Sequence, residues 1–444
     1  MTKPVPLQTR PVTSWGGVKG GLHLEAAPAF RDGLPSALDG LVQARGSVLA
    51  HGLGRSYGDS CLNVGAGLVR TTSLDRLLAF DTARGVLRAE AGLTLDALHR
   101  LTVPRGWFVA VTPGTRFVTL GGAVANDVHG KNHHVAGSFG CHVRRLALRR
   151  SDGTVLECGP DTETALFAAT VGGLGLTGLI EWVELALAPL PSSDVEVENL
   201  RFDRLEAFFD LSEDSKDWPY TVAWVDGLAG GEHLGRGIFS RGRPAATGPL
   251  DPEPPGKTRT MPATAPNGLI NGLSVRAFNA LYYRRPGATY KGRTHFQPFF
   301  YPLDGIQQWN RMYGSAGFYQ YQCIVPPDTA RTAVPALLRR VSAAGSASFL
   351  AVLKNFGDRP SPGLLSFPTV GTTLALDFPN RGPRTLALMK ALDEVVRECG
   401  GLLYPAKDAR MSAAMFRAGY PTWAAFKDYI DPAFASDLWR RVGR

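Results

Sequence analysis

No apolar run in this 444-residue chain approaches the roughly 18 residues that would cross a bilayer, so no membrane-spanning helix is expected. The opening stretch MTKPVPLQTRPVTSWGG has neither an apolar core nor a small-residue cleavage pattern, and a secretory signal is not expected either. Cysteine is scarce. The five present (Cys61, Cys141, Cys158, Cys323, Cys399) are scattered, odd in number and form no C-x-x-C pair. That argues against a disulfide framework and a structural zinc site, and for reduced thiols in a cytoplasmic protein. Internal repeats are lacking, and the composition is too apolar, at 44% hydrophobic and 20% charged, for a disordered chain.

What is abundant is glycine (51) and proline (32), which favours many turns over a helical bundle. Lys+Arg exceed Asp+Glu by 48 to 39, giving a net charge of +9. Such a balance favours anionic partners: phosphates, anionic lipid surfaces or nucleic acid. No RNA- or DNA-binding motif accompanies the charge, so nucleic acid is not expected. The length suggests two or three domains.

To about Leu190, short apolar runs alternate with glycine-rich turns. Ser47–His51 and Val86–Ala91 read as strands, Leu93–Leu101 and Thr162–Ala169 as helices, and Leu179–Leu187 as a strand. Val143–Arg149 and Thr154–Glu157 flank Ser151-Asp152-Gly153, a hairpin signal. This is α+β texture rather than a strict βαβ series. Past Pro191, turns alternate with strands such as Thr221–Val225. Arg241–Gly272, rich in Pro and Gly, reads as a linker, a mobile loop over a site, or a surface loop without a role. Thr385–Cys399 places Leu388, Leu392, Val395, Val396 and Cys399 on one helical stripe closed by Gly400. The tail from Tyr404 reads as mostly helical, and Trp423 and Trp439 suggest that it docks.

Two glycine-rich segments carry the chemistry. The first, His51-Gly52-Leu53-Gly54-Arg55-Ser56-Tyr57-Gly58-Asp59, follows a strand. Its backbone N–H groups with Arg55 and Ser56 suit a pyrophosphate; the plain alternative is a tight turn. No amphipathic helix follows, which argues against a Rossmann unit. The second runs from Thr112-Pro113-Gly114-Thr115 through Leu120-Gly121-Gly122-Ala123-Val124-Ala125-Asn126 to Asp127-Val128-His129-Gly130-Lys131-Asn132-His133-His134. Small residues there let backbone approach a flat ligand, and Lys131 supplies a cation. The three histidines match no metal-ligand spacing, so no metal is expected. Gly173-Leu174-Gly175-Leu176-Thr177-Gly178 fits G-x-G-x-x-G but precedes a strand, the reverse of the dinucleotide fingerprint.

HGLGRSYGDS together with TPGTRFVTLGGAVANDVHGKNHHVAGSFG resembles the FAD-binding domain of the vanillyl-alcohol-oxidase superfamily, and within it the decaprenylphosphoryl-ribose oxidases. The likeness continues through ATVGGLGLTGLIEWVELAL, TVAWVDGL, FFYPLDGIQQWNRMYGSAGFYQYQ, SFLAVLKNFG, LDFP and LYPAKDAR. It implies a two-domain α+β fold: an FAD domain over residues 1–190, completed by 403–444, and an antiparallel-sheet substrate domain over 191–402. It implies FAD held by Gly52 to Gly58, by Pro113, Gly114 and Thr115, by Gly121, Gly122, Ala125, Asn126, His129, Gly130 and Asn132, by Ala136 and Gly137, by Gly178 and Ile180, and by Tyr404 and Lys407. Arg55 stands where some relatives carry the histidine that bonds the flavin, so FAD is expected to be non-covalent.

The same likeness assigns Lys407, Lys131 and His129 to catalysis. It assigns Tyr57, Trp224, Gln320, Gln322, Lys354, Phe356 and Ala375 to the substrate pocket. Independently of it, Gln320 and Gln322 alternate on a strand and share a face. The implied reaction is oxidation of the 2′-hydroxyl of a polyprenyl-phosphate-linked ribose, on the way to an arabinan precursor, with a short-chain reductase as partner. The alternative is an oxygen-using oxidase of a soluble sugar or alditol. Relatives carry Cys where Ala375 stands, Asn at Thr373 and Tyr at Phe300, which leaves the sugar and lipid open. Arg276 to Arg293 interleaves basic and aromatic residues: either a contact with a lipid phosphate or the inner membrane face, or a helix with solvated arginines.

Overall fold

The computed structural model describes residues 5–253, 259–346 and 349–443. Three sheets carry it. The first has four strands in the order Leu7–Thr13, Gly20–Ala26, Gly67–Arg70, Val48–His51; the first pair is antiparallel and the others parallel. Helix Leu34–Arg45 lies on it, and its buried Leu34, Ala37, Leu38 and Leu41 recur at the three-to-four spacing that makes one apolar stripe. The second sheet is antiparallel, in the order Leu77–Asp81, Val86–Glu90, Leu179–Pro189, Val143–Arg149, Val155–Cys158, with Trp107–Val109 added to the end of Leu179–Pro189.

The third sheet has eight antiparallel strands: Tyr290–His295, Asp194–Phe202, Gly237–Pro244, Tyr220–Val225, Ala351–Phe356, Gly371–Pro379, Phe318–Val325 and Leu402–Leu403. One face sends Phe239, Tyr321, Cys323, Leu353, Leu374 and Leu376 into a core shared with helices Pro327–Ala344 and Pro383–Glu398. Their neighbours in sequence point the other way, because side chains alternate along a strand. That second face, with Trp224, Ile238, Gln320, Gln322, Val352, Lys354, Thr373 and Ala375, is one wall of the central cavity. The architecture is α+β.

The C-terminal segment returns to the N-terminal sheets. Val48 and Phe434 form a parallel bridge, Arg150 pairs with Asp431 at 3.3 Å, and Arg441 grips Asp59 with two nitrogens at 2.6 and 3.0 Å. The expectation of a mostly helical tail is corrected. Among its described residues only Ala413–Gly419, Trp423–Phe426 and Asp437–Val442 are α-helical, because the segment is spent on ion pairs and turns that tie two layers together. Trp439 packs against Phe416 and Phe426, so the tail docks.

Two other segments take definite form. Leu120–Ala125, read from sequence only as small residues that let backbone approach a flat ligand, is a short helix whose Thr119 hydroxyl accepts from Gly122 N–H at 3.2 Å. In Arg241–Gly272, the start belongs to strand Gly237–Pro244, and Arg259–Thr260 pairs in parallel with Ile306–Gln307. Its residues 254–258 lie outside the described residues, and none of the described ones lines the cavity.

Candidate active site

A cavity of about 860 Å³ lies where the three sheets meet. Its floor is the turn after strand Val48–His51. The N–H groups of Leu53, Gly54, Arg55 and Ser56 donate to no acceptor within the protein among the described residues, although these residues line the cavity. A run of unspent backbone donors is an anion cradle. Gly54 takes φ +61°, which keeps the turn tight. Beside it run Pro113, Gly114, Thr115, Gly121, Gly122, Ala125 and Asn126, with Gly178 and Ile180 closing that side. A methyl on Gly114 would touch nothing within 4 Å; it would project into open space.

Tyr57 N–H donates to Ala406 O at 3.0 Å, and a methyl on Gly58 would sit 1.7 Å from Asp408 O. The first loop and the tail therefore interlock. That places the Lys407 ammonium nitrogen 4.0 Å above the Tyr57 ring.

Three half-buried lysines share the cavity. Lys131 Nζ donates to Phe299 O at 2.5 Å, and Lys354 Nζ lies 3.2 Å from His129 Nδ1. Burial holds the Lys131 amine down to about 7 and, with Lys131 and Lys407 adding repulsion, the Lys354 amine down to about 7. Burial brings Lys407 to about 8, with Asp377 working in the opposite direction. The same burial, reinforced by Lys354, His133 and Lys407, keeps His129 well below the ordinary imidazole value. On the sheet wall, Gln320 Nε2 donates to Asp377 Oδ1 at 2.6 Å; Gln322 Nε2 lies 2.9 Å from His129 Nε2 and 3.2 Å from Thr373 Oγ1.

Most residues singled out from sequence converge here, but five do not line the cavity. Gly58 packs against the tail. Asn132 donates to Ala110 O at 2.7 Å and so braces the loop. Ala136 offers its carbonyl to His142 and Arg359, and Gly137 (φ +74°) packs on Arg359 and Cys141. Phe356 stacks on His133 with centroids 4.2 Å apart and backs His129 from behind. The three histidines diverge: His129 faces Gln322, His133 lies on Phe356, and His134 contacts Trp218 O. The Gly173–Gly178 turn borders the cavity through Leu174, Gly175 and Gly178.

Sequence reasoning missed Trp15, Asp304, Thr373 as a polar wall residue, and Asp377 behind that wall. It also missed the mouth residues Tyr282, Arg285 and Tyr290 as part of the same cavity. Only the LDFP segment hinted at Asp377.

A family model described as an FAD binding domain matches residues 26–159. Decaprenylphosphoryl-beta-D-ribose oxidase of Mycolicibacterium smegmatis is 36% identical, with 99% of each chain covered. A Streptomyces coelicolor protein described only as uncharacterised, from the mprA 5′ region, is 36% identical over 79% of this chain and 100% of its own. L-gulonolactone oxidase of Mus musculus is 30% identical over 28% of each chain. FAD fits the residues present: unspent N–H donors suit its pyrophosphate, and the open glycine wall suits a flat ring. The chain belongs to the family of FAD-dependent oxidoreductases that includes the decaprenylphosphoryl-ribose oxidases.

Proposed function

We propose that this protein oxidises the 2′-hydroxyl of a polyprenyl-phosphate-linked ribose to a 2′-keto sugar, the first half of an epimerisation to arabinose that a separate short-chain reductase completes. The observation that carries this reading is the pairing of an anion cradle with a wall of lysines and glutamines in one cavity, in a chain alike over its full length to an oxidase named for such a substrate. FAD, when bound, supplies the acceptor for the hydride. Gly52–Tyr57 and Gly121–Asn126 would hold its pyrophosphate, and His129, Gly130 and Lys131 would line its ring.

Lys407 touches the reacting region from the tail side. Its amine, held near 8, takes the hydroxyl proton as the C–H electron pair leaves. Gln320 and Gln322 read the sugar: the Gln322 NH₂ is spent on His129 and Thr373 and one proton of the Gln320 NH₂ on Asp377, which leaves their carbonyl oxygens to accept from sugar hydroxyls. Trp224, Lys354 and Ala375 complete the pocket. FAD would be held without a covalent bond, since Arg55 stands where some relatives carry the attaching histidine; its guanidinium lies 4.0 Å over Trp15 and donates to Phe117 O. After acid precipitation the flavin should stay in the supernatant; a yellow pellet would refute this.

The mouth favours a lipid. Helix Gly272–Arg284 leaves Leu273 82%, Leu281 75% and Phe278 42% exposed, interleaved with Arg276 and Arg284, while Tyr282 and Arg285 line the cavity. No helix among the described residues is long and apolar enough to cross a membrane. An exposed apolar stripe with arginines suits peripheral contact with an anionic membrane, in a cytoplasmic setting at the inner face. Anaerobic flavin reduction by a panel of polyprenylphosphoryl and free pentoses and alditols tests the whole reading. Rapid bleaching only by the lipid-linked ribose is expected; bleaching by free alditols alone would overturn it.

A further inference from the structure

Hydrogen-bond directions behind the cavity wall can be followed atom by atom. Thr373 is 1% exposed, and its hydroxyl lies 2.9 Å from Cys323 O. A carbonyl oxygen only accepts, so the single hydroxyl proton goes there. Toward Gln322, 3.2 Å away, Thr373 Oγ1 can then only accept. This fixes the Gln322 amide with its NH₂ group toward Thr373. The second proton of that NH₂ points at His129 Nε2, 2.9 Å away. His129 Nε2 is therefore an acceptor and carries no proton. A neutral imidazole has one N–H, so the proton resides on Nδ1, which faces Lys354 Nζ at 3.2 Å. An ammonium has only donors to offer, and two donors cannot face each other. Lys354 Nζ accepts through its lone pair.

We infer that Thr373 is a positioning residue: acting through Gln322 and His129, it holds Lys354 as an uncharged amine that offers the cavity N–H donors rather than a cation or a free base. The groups facing Lys354 agree. Lys131 from the His129–His134 segment and Lys407 from the tail both repel a charge there, His133 lies alongside, and no carboxylate among the described residues contributes. The inference deepens the proposed function by leaving proton acceptance to Lys407. It concerns this chain in particular, since Thr373 occupies a position where asparagine would offer both a donor and an acceptor and would not fix the order.

The test is nitrogen-15 imidazole spectroscopy on the FAD-loaded protein, labelled at histidine, with His129 assigned by His129→Gln. In the native protein, His129 should show a protonated Nδ1 and a bare Nε2 from pH 6 to 8. In Thr373→Val, the Gln322 amide is free to turn its oxygen to His129. The proton should then move to Nε2, leaving Nδ1 to accept from a charged Lys354. Thr373→Ser should restore the native pattern. A native His129 with protonated Nε2, or a Thr373→Val protein that folds, holds flavin and keeps the native pattern, would overturn the inference. The native spectrum decides even if the valine variant fails to fold. No sugar is used, so failure of the pentose panel and failure of this experiment are separate results.

Discussion

Replacing Asp377 by asparagine should stabilise the protein progressively as pH rises. Asp377 is fully buried opposite Gln320 in the antiparallel pair Phe318–Val325 and Gly371–Pro379. Burial pushes its carboxyl from 3.8 up to about 7, against the pull of Gln320, Lys407 and Tyr313. Between these two values the folded protein keeps a proton that the unfolded chain has lost. The contribution of this group to stability is therefore largest in acid and is lost as pH rises through 7. A difference of about three units corresponds to a cost of about 4 kcal/mol above pH 8, of which roughly 1.5 is already incurred at pH 5. Asparagine carries no charge and fits the same partners: its oxygen accepts from Gln320 and its NH₂ donates to the Tyr313 hydroxyl. Any fixed packing cost cancels when one pH is compared with another. The difference between variant and native should grow by about 2–3 kcal/mol from pH 5 to pH 8, or about 3 °C in apparent Tm for a chain of this length. Thermal melts of the FAD-loaded proteins read it. A difference that does not change with pH, or that grows toward acid, would refute the reasoning.

Other expectations follow from the same contacts. Arg441→Met removes the partner of buried Asp59 and of Asp408 and should cost about 3 kcal/mol or more, with loss of flavin retention because the tail carries Lys407; denaturation and absorbance spectra check it. Gly58→Ala forces a methyl to within 1.7 Å of Asp408 O and should weaken FAD binding at least tenfold by fluorescence titration while leaving the three sheets folded. Leu273→Asp with Leu281→Asp should abolish sedimentation with phosphatidylglycerol vesicles without changing flavin content; unchanged sedimentation would remove the membrane role of helix Gly272–Arg284.

Much of the fold was legible because period carries it. Val86–Glu90, Leu95–Thr102, the Val143–Cys158 hairpin and Pro383–Glu398 declare themselves by spacing and turn residues, and Gln320 and Gln322 share a face because strands repeat every two. The cavity was legible only through the resemblance, since nothing in spacing says which of several lysines is buried. Asp377 and Thr373 escaped because their partners are register neighbours some 50 residues away: Gln320 opposite Asp377, and Gln322 diagonal to Thr373. Leu120–Ala125 escaped because two glycines lower helix propensity by about 1 kcal/mol each, a deficit that the Thr119 cap and burial of Leu120, Ala123 and Val124 offset. Asn132, Ala136, Gly137 and Phe356 sit in the right motifs yet serve the back of the site, because a motif marks a segment and not the direction each side chain takes.

The titrating groups of the cavity all bias one way, and that has a measurable consequence. With Lys131 near 7 and Lys407 near 8, about one lysine proton is missing between them at pH 7.5. Lys354 does not add to this, its lone pair being committed to His129. An anion entering the cavity raises the proton affinity of both lysines, and of Asp377 as well; the base form of Lys407 is then the fraction that stays uncharged in the holoenzyme, and it grows as pH rises through 8. Binding of FAD to the apoprotein should therefore take up as many as about two protons at pH 7.5, about one from the lysines and up to about 0.8 from Asp377, and almost none at pH 6, where the lysines are already charged and Asp377 already protonated. Calorimetry in buffers of different ionisation enthalpy gives that number as a slope. An enthalpy independent of buffer at pH 7.5 would mean that the lysines are solvated and ordinary, and would take away the electrostatic basis for Lys407 as the proton acceptor; the lysine share of the uptake should fall by about a quarter in Lys407→Met, by about three quarters in Lys131→Met and not at all in Lys354→Met, whose amine the hydrogen-bond chain keeps uncharged.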